Sequence, residues 1–294
     1  MAKGPWNRRY WMGVVAAAAM AWGFAAGAAA GSGAVAMVTD LAGASRIEGS
    51  GGGRIALLAE LVPGSRIVVD EGARLVIVYY ESGDEYVFRG PANLRIDPRT
   101  PEVLSGVRPE RRPSLLSEIG GEVTIRPTDV VQASLVMRAS GSAAGLRLDR
   151  PVATRVLDPS PVFRWRPAPG AQTYHFELID DDGRTLATAD VAATEFRLPE
   201  NIVLAPAVTY TWEVSARPAS GAATSDWADF SVAPASDRAL VERLRPPADA
   251  AFSRRVLFAT VLERLELRDA ARAYWRVLFG ERGDEPTLRR LAGE

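Results

Sequence analysis

Few residues in this sequence are of a type and spacing that could do chemistry. His175 is the single histidine and sits between Tyr174 and Phe176. In an alternating strand that position faces outward, away from the core. A lone exposed histidine without a carboxylate or second histidine nearby reads as a surface residue. Asp180-Asp181-Asp182-Gly183 offers carboxylates to calcium, but it lacks the alternating ligand spacing and distal bidentate glutamate of an EF-hand. A hairpin turn accounts for it. Trp227, beside Asp226 and near Asp229, could stack on a sugar ring, although an aromatic covering a sheet edge is the commoner case. Glu177 or Glu213, each paired with an Asp, are the carboxylates that an enzyme acting on wall polysaccharide would use, with the two carboxyl groups about 5–9 Å apart across a cleft. On sandwich strands both should face solvent from a flat sheet, which makes a poor cleft.

Composition removes much of the remaining chemistry. The chain has 294 residues and no cysteine, so disulfides, zinc thiolate sites, a cysteine nucleophile and a lipidated N-terminal cysteine are excluded. One histidine leaves little room for other metal sites or for catalytic triads. Lys+Arg total 35 against 36 Asp+Glu, net charge −1, a balance that gives no field to steer nucleic acid. No catalytic residue, metal ligand set or cofactor site is assigned.

The elements that must position these residues begin after an export-like start. Lys3, Arg8 and Arg9 precede an apolar run, Trp11 to Ala30, that ends in small residues. A basic start, an apolar middle and an Ala-x-Ala-like end form the pattern of a secretory signal peptide over 1–30. The run approaches the roughly 20 residues of a membrane anchor, but it is mostly Ala and Gly, which favours cleavage after Ala30 or Ala36. Asn7-Arg8-Arg9-Tyr10-Trp11-Met12 resembles a twin-arginine signal, but an ordinary basic n-region is the simpler reading, since no cofactor motif follows that would require export in a folded state.

From Val35 to about position 97 the pattern is short strands between glycine turns. Leu75, Ile77 and Tyr79 alternate with Val76, Val78 and Tyr80, which are apolar too. Both faces of that strand should therefore be covered, as in a small rolled sheet. Leu41-x-Gly43, Leu61-x-Pro63-Gly64, Gly72-Ala73, Ser82-Gly83 and Gly90-Pro91 leading to Leu94 and Ile96 resemble the FecR-like periplasmic domain. The resemblance implies a signal relay from an outer-membrane transporter to a cytoplasmic sigma factor. That role uses a cytoplasmic segment of domain size, whereas Met1 to Tyr10 is too short to fold.

Residues 98–150 are expected to be a Pro/Arg-rich linker with short strands at Val123–Ile125 and Val131–Met137. Arg99, Arg108, Arg111 and Arg112 could meet an anionic polymer or headgroup, though a solvated loop is the simpler reading in a neutral chain.

Over 151–233 the chain reads as an all-β sandwich. Phe163 and Trp165, then Tyr174, Phe176 and Leu178, alternate around Pro167-Ala168-Pro169-Gly170, as two neighbouring strands of one antiparallel sheet would. Trp165, Tyr174, Phe176 and Leu204-x-Pro206-x-x-x-Tyr210-x-Trp212-x-Val214 resemble a fibronectin type III domain, the last run being its tyrosine-corner strand. Leu146, Leu148 and Val152 to Leu157 are expected to supply the first strand.

The tail, 236–294, should be helical. Ser236, Asp249 and Asp269 are candidate caps. Ala270, Ala273, Tyr274, Val277 and Leu278 recur at helical spacing and match Val256, Val261 and Leu265 on the preceding helix, which predicts an antiparallel α-helical hairpin. The hairpin resembles one tetratricopeptide-like unit. Leu257, Phe258, Trp275 and Phe279 lie off the shared stripe, leaving apolar surface for the chain's own β-domains, for a partner or for a homodimer.

The expected fold class is thus mainly β: a small rolled β-domain, a fibronectin type III-like β-sandwich and a C-terminal helical hairpin. The expected function is a non-catalytic, exported, periplasmic scaffold that binds an envelope protein or peptidoglycan. It would meet no nucleic acid and would touch membrane only through an uncleaved N-terminus. The partner-binding candidates are Leu257, Phe258, Trp275, Phe279 and Trp227. The alternative is a FecR-like relay anchored in the inner membrane.

Overall fold

Short alternating runs between glycines form strands here because each can bury one face only by pairing and stacking. The computed structural model describes residues 33–49, 53–119, 145–216 and 223–294. The signal-like segment and the strands expected at Val123–Ile125 and Val131–Met137 lie outside the described residues.

The first module contains β1 (Ala36–Ala42), β2 (Ser45–Ile47), β3 (Glu60–Leu61), β4 (Arg66–Val69), β5 (Arg74–Tyr79), β6 (Asp84–Arg89), β7 (Ala92–Ile96), β8 (Pro101–Ser105) and β9 (Glu110–Pro113). They form two antiparallel sheets, ordered β3-β1-β5-β6-β9 and β2-β4-β7-β8. Leu75, Ile77, Tyr79, Phe88, Leu94 and Ile96 fill the core of this module. The module extends beyond position 97, because β8 pairs with β7 and β9 pairs with β6. The Pro/Arg-rich stretch read as a linker therefore holds two edge strands, with Pro101 and Pro113 at strand ends, where a missing N–H costs the ladder little. Its arginines are used there: Arg111 pairs with Asp84 at 2.8 Å and Arg112 with the buried Glu85.

Two glycines of this module have steric reasons. Gly83, at φ +68°, carries no Cβ because one would lie 2.6 Å from the Ser117 nitrogen of the short helix α1 (Leu115–Ile119). A Cβ on Gly90 would lie 1.7 Å from the Asp70 carbonyl oxygen.

The sandwich is built from β10 (Arg147–Arg150), β11 (Thr154–Val156), β12 (Val162–Arg166), β13 (Tyr174–Ile179), β14 (Thr185–Val191), β15 (Glu195–Arg197), β16 (Thr209–Ala216) and β17 (Thr224–Val232). The sheet β10-β12-β15 faces the sheet β11-β17-β16-β13-β14, a fibronectin type III-like arrangement. Two details differ from the sequence reading. The expected first strand is two strands on opposite sheets: β10 pairs antiparallel with β12 and β11 parallel with β17. β12 and β13 are not neighbours in one sheet but face each other across the core, with the Phe163 and Phe176 rings 4.9 Å apart. Alternation reveals which side chains point inward, and it is blind to which sheet a strand joins. The tyrosine corner is present: the Tyr210 hydroxyl accepts from the Ala205 N–H at 2.8 Å and donates to the Ala205 carbonyl.

The tail holds α2 (Ala235–Leu244), α3 (Phe252–Arg264), α4 (Arg268–Glu281) and α5 (Pro286–Ala292). The hairpin is α3 with α4, flanked by two further helices. None of the three expected caps is used. The N-cap positions are Pro234, Ala251 and Leu267, without side-chain hydrogen bonds, and only Glu285 caps, accepting from the Thr287 N–H. The inward stripe of α4 is Ala271, Trp275 and Leu278, while Ala273 and Val277 face out. α3 is apolar on nearly every side, because α4 packs on one face and β1 of the first module on another. One core contains Met37, Leu57, Val78, Leu115 and Ile119 together with the helices. The outer face of β1 and β5 is thus covered by helices that arrive about two hundred residues later in the chain.

Candidate binding surfaces

The helix layer also grips the sandwich. The Arg155 N–H donates to the Glu266 carbonyl at 2.8 Å, its guanidinium pairs with Glu266 at 3.1 Å and Asp237 at 3.5 Å, and Arg268 donates to the Ala153 carbonyl. On the other side, a β-bulge between Val38 and Asp40 resets the alternation of β1. It leaves Asp40, 0 % exposed, between Arg74 and Arg282, both at 2.5 Å. The Arg282 guanidinium also lies 3.7 Å from the Phe252 ring centroid. Glu118 meets Arg254 and Glu281 meets Arg255 in bidentate pairs, which hold both carboxyls below their usual range.

A cleft of about 340 Å³ opens where β11 and β12 meet the start of α4. Arg150, Arg155, Arg164, Asp158 and Asp269 stand around it over an apolar lining. Most of these charges are held by neighbours: Arg164 by Glu195 at 3.1 Å, Arg155 by Glu266, and Asp158 by the Ser160 N–H at 2.9 Å. Asp269 differs. Burial raises its carboxyl to about 6, against the opposing pull of Arg272, Arg150 and Arg276. Its place in the first turn of α4 would by itself favour the charged form, so desolvation is the larger effect here. The arrangement gives a charge-balanced seam between sandwich and helices rather than two carboxylates aimed at one bond.

The candidates read from sequence fall into two groups. Leu257, Phe258 and Trp275 are buried at 0, 1 and 0 % exposure inside the chain's own core, and Phe279 is half-buried beside it with Arg289 over its ring. The surface they were expected to offer is closed by the first β-module and the neighbouring helices. Trp227 is 52 % exposed on the outer face of β17. Asp226 points the other way, buried, accepting from the Leu148 N–H at 3.0 Å and so tying β10 to β17.

The outer face of the larger sheet gathers the remaining candidates. Glu213 stands opposite both Trp227 and Glu177 across the ladder, and Thr188 continues the row. Glu177 accepts from the Thr185 hydroxyl at 3.0 Å. His175 also faces out, but it has a carboxylate partner that sequence spacing hid: Asp190 on β14, 2.8 Å from Nδ1. The Asp180 to Asp182 carboxylates converge in an exposed hairpin turn, where Asp180 accepts from the Arg184 N–H and pairs with its guanidinium. The turn accounts for the cluster.

No helix among the described residues is long and apolar enough to cross a membrane. No protein-family model and no curated protein matches the chain. Among solved structures it is similar to the fn3 domain of the human collagen alpha-1(XX) chain, at 13% identity over 36% of this chain and 85% of that one, TM-score 0.24. It is also similar to a tetra-tandem repeat in the extending region of a large adhesion protein, at 14% identity over 68% of this chain and 42% of that one, TM-score 0.22. At such scores these likenesses bear on neither function nor partner.

Proposed function

We propose that this chain is a non-catalytic protein of the bacterial envelope, exported through its N-terminal segment and acting as a rigid scaffold that docks an envelope protein or peptidoglycan. The observation that carries this reading is Trp227. A large aromatic side chain stands half in water on an open sheet, while Phe163, Trp165, Phe176 and Trp212 of the sandwich are buried. An indole left uncovered on a flat face suits docking better than turnover. The helix layer supports the reading by bracing the sandwich against the first module through Arg155, Glu266 and Asp40, so that such a face is presented without rearrangement.

The test is cross-linking of the exported chain in intact cells, with the cross-linked residues of both partners mapped by mass spectrometry. A recurring adduct to an envelope protein or a wall fragment is expected. Failure to form any adduct, or peptidoglycan cleavage that disappears in Glu177→Gln, would overturn the reading.

A relay of the FecR kind is a second reading. It is favoured by the turn glycines Gly43, Gly64, Gly72 and Gly83, all at positive φ as that domain's turns require. It needs an anchor that stays in place. A mature N-terminus near Gly31 or Met37 would eliminate it.

A further inference from the structure

Building on the docking reading, we infer that the outer face of the β14-β13-β16-β17 sheet receives a basic, Lys/Arg-rich segment of a partner protein, with Trp227 as the stacking platform and Glu213 and Glu177 as the charge partners.

Three observations converge. First, among the described residues the outward positions of these strands carry the carboxylates Glu177, Asp190, Glu213 and Asp229 and no lysine or arginine, on a chain whose overall charge is only −1. The face is therefore acidic by placement, not by composition. Second, Glu177 and Glu213 stand directly opposite each other in the ladder. Like charges in that position are close, with Cβ atoms about 5 Å apart, and they destabilise a sheet. Asp190 and Asp229 have internal partners in His175 and the Thr211 hydroxyl; among the described residues the glutamate pair has only the Thr185 hydroxyl, on Glu177. A cation set between the two carboxylates would remove the repulsion. Third, Trp227 is the next residue along that row, opposite Glu213. A guanidinium or ammonium on the indole face would gain a cation–π contact while reaching Glu213.

A neutral glycan could use the same indole, but it would leave the glutamate repulsion in place. An extended segment fits the spacing, because alternate side chains of a strand all point to one side and would meet the row in turn.

The experiment is calorimetric titration of the full chain, purified in mild detergent, with a short Arg/Lys-Gly peptide, an acidic peptide of equal length and a cello-oligosaccharide. The basic peptide is expected to bind and to weaken about tenfold on raising salt from about 50 to about 300 mM, as a surface charge contact must. Trp227→Ala should weaken it by about tenfold and Glu213→Gln by about threefold. Trp227→Phe, which keeps a ring, should retain part of the affinity. Both residues are outward-facing, and unchanged circular dichroism and melting temperature confirm that the variants fold.

No binding of the basic peptide, binding indifferent to both substitutions, or a glycan that binds more tightly through Trp227 would overturn the inference. The scaffold reading is tested separately, since adducts in cells that map to another face would leave it standing while removing this one.

Discussion

Asp269 shows how one buried group can set a pH dependence. Its carboxyl, 24 % exposed at the seam between sandwich and helices, is raised from 3.8 to about 6 by desolvation, with Arg272, Arg150 and Arg276 pulling it back. The folded chain therefore holds this proton more tightly than the unfolded chain does. Stability contributed by the neutral acid is full below about pH 4 and is lost as pH rises through about 6, by up to about 3 kcal/mol at 1.36 kcal/mol per pH unit. Asp269→Asn should remove that decline. Urea unfolding is expected to show the variant gaining on the parent between pH 4.5 and 7.5; equal pH slopes would contradict the desolvation account. Asp40, buried on β1, instead lies between two guanidiniums, Arg74 and Arg282, and removing either partner would leave a buried acidic group poorly paired.

At the scale of elements, α3 and α4 decide more than their length suggests. Trp275 is fully buried and donates to Glu263 at 3.3 Å, and burial raises the Glu263 carboxyl. Trp275→Ala should leave a cavity and strip Glu263 of its donor, at a cost of about 3–5 kcal/mol. The loss should appear beyond the helices. Because Met37 and Val78 share that core, faster amide exchange is expected in β1 and β5, and exchange confined to the tail would show the helices to be a separate unit. The elements themselves were largely legible. The strand alternation of β12, β13 and β16 and the tyrosine corner are local patterns, and the structure has them. The stripe of α4 was misread by one position because both α3 and α4 are covered on more than one side, which blurs a single-faced period.

For the whole molecule, the two β-modules differ in independence. Among the described residues, the sandwich core is drawn only from those between Leu146 and Val232, so a fragment of residues 145–233 is expected to fold alone, with dispersed amide resonances. The first module, cut to residues 33–119, would expose Met37, Leu57, Val78, Leu115 and Ile119. It should aggregate or stay unfolded, and co-expression with residues 235–294 should rescue it. A stable 33–119 fragment would mean that its β core suffices without the helices.

Sequence alone determined the local matters: most of the strands, the inward side chains of β12, β13 and β16, where glycine turns fall, and that cysteine chemistry is absent. These follow from period-two and helical patterning within a few residues, where each side chain's polarity records whether it is buried. Only the tertiary structure decided what does the burying. It placed β12 and β13 on opposite sheets, joined Asp40 to Arg282 across 242 residues, and laid the last helices over the first sheet, which enclosed Leu257, Phe258 and Trp275 and left Trp227 outside. Hydrophobicity has no direction: an apolar side chain records that it needs a cover, and the identity of that cover is settled only when the whole chain packs.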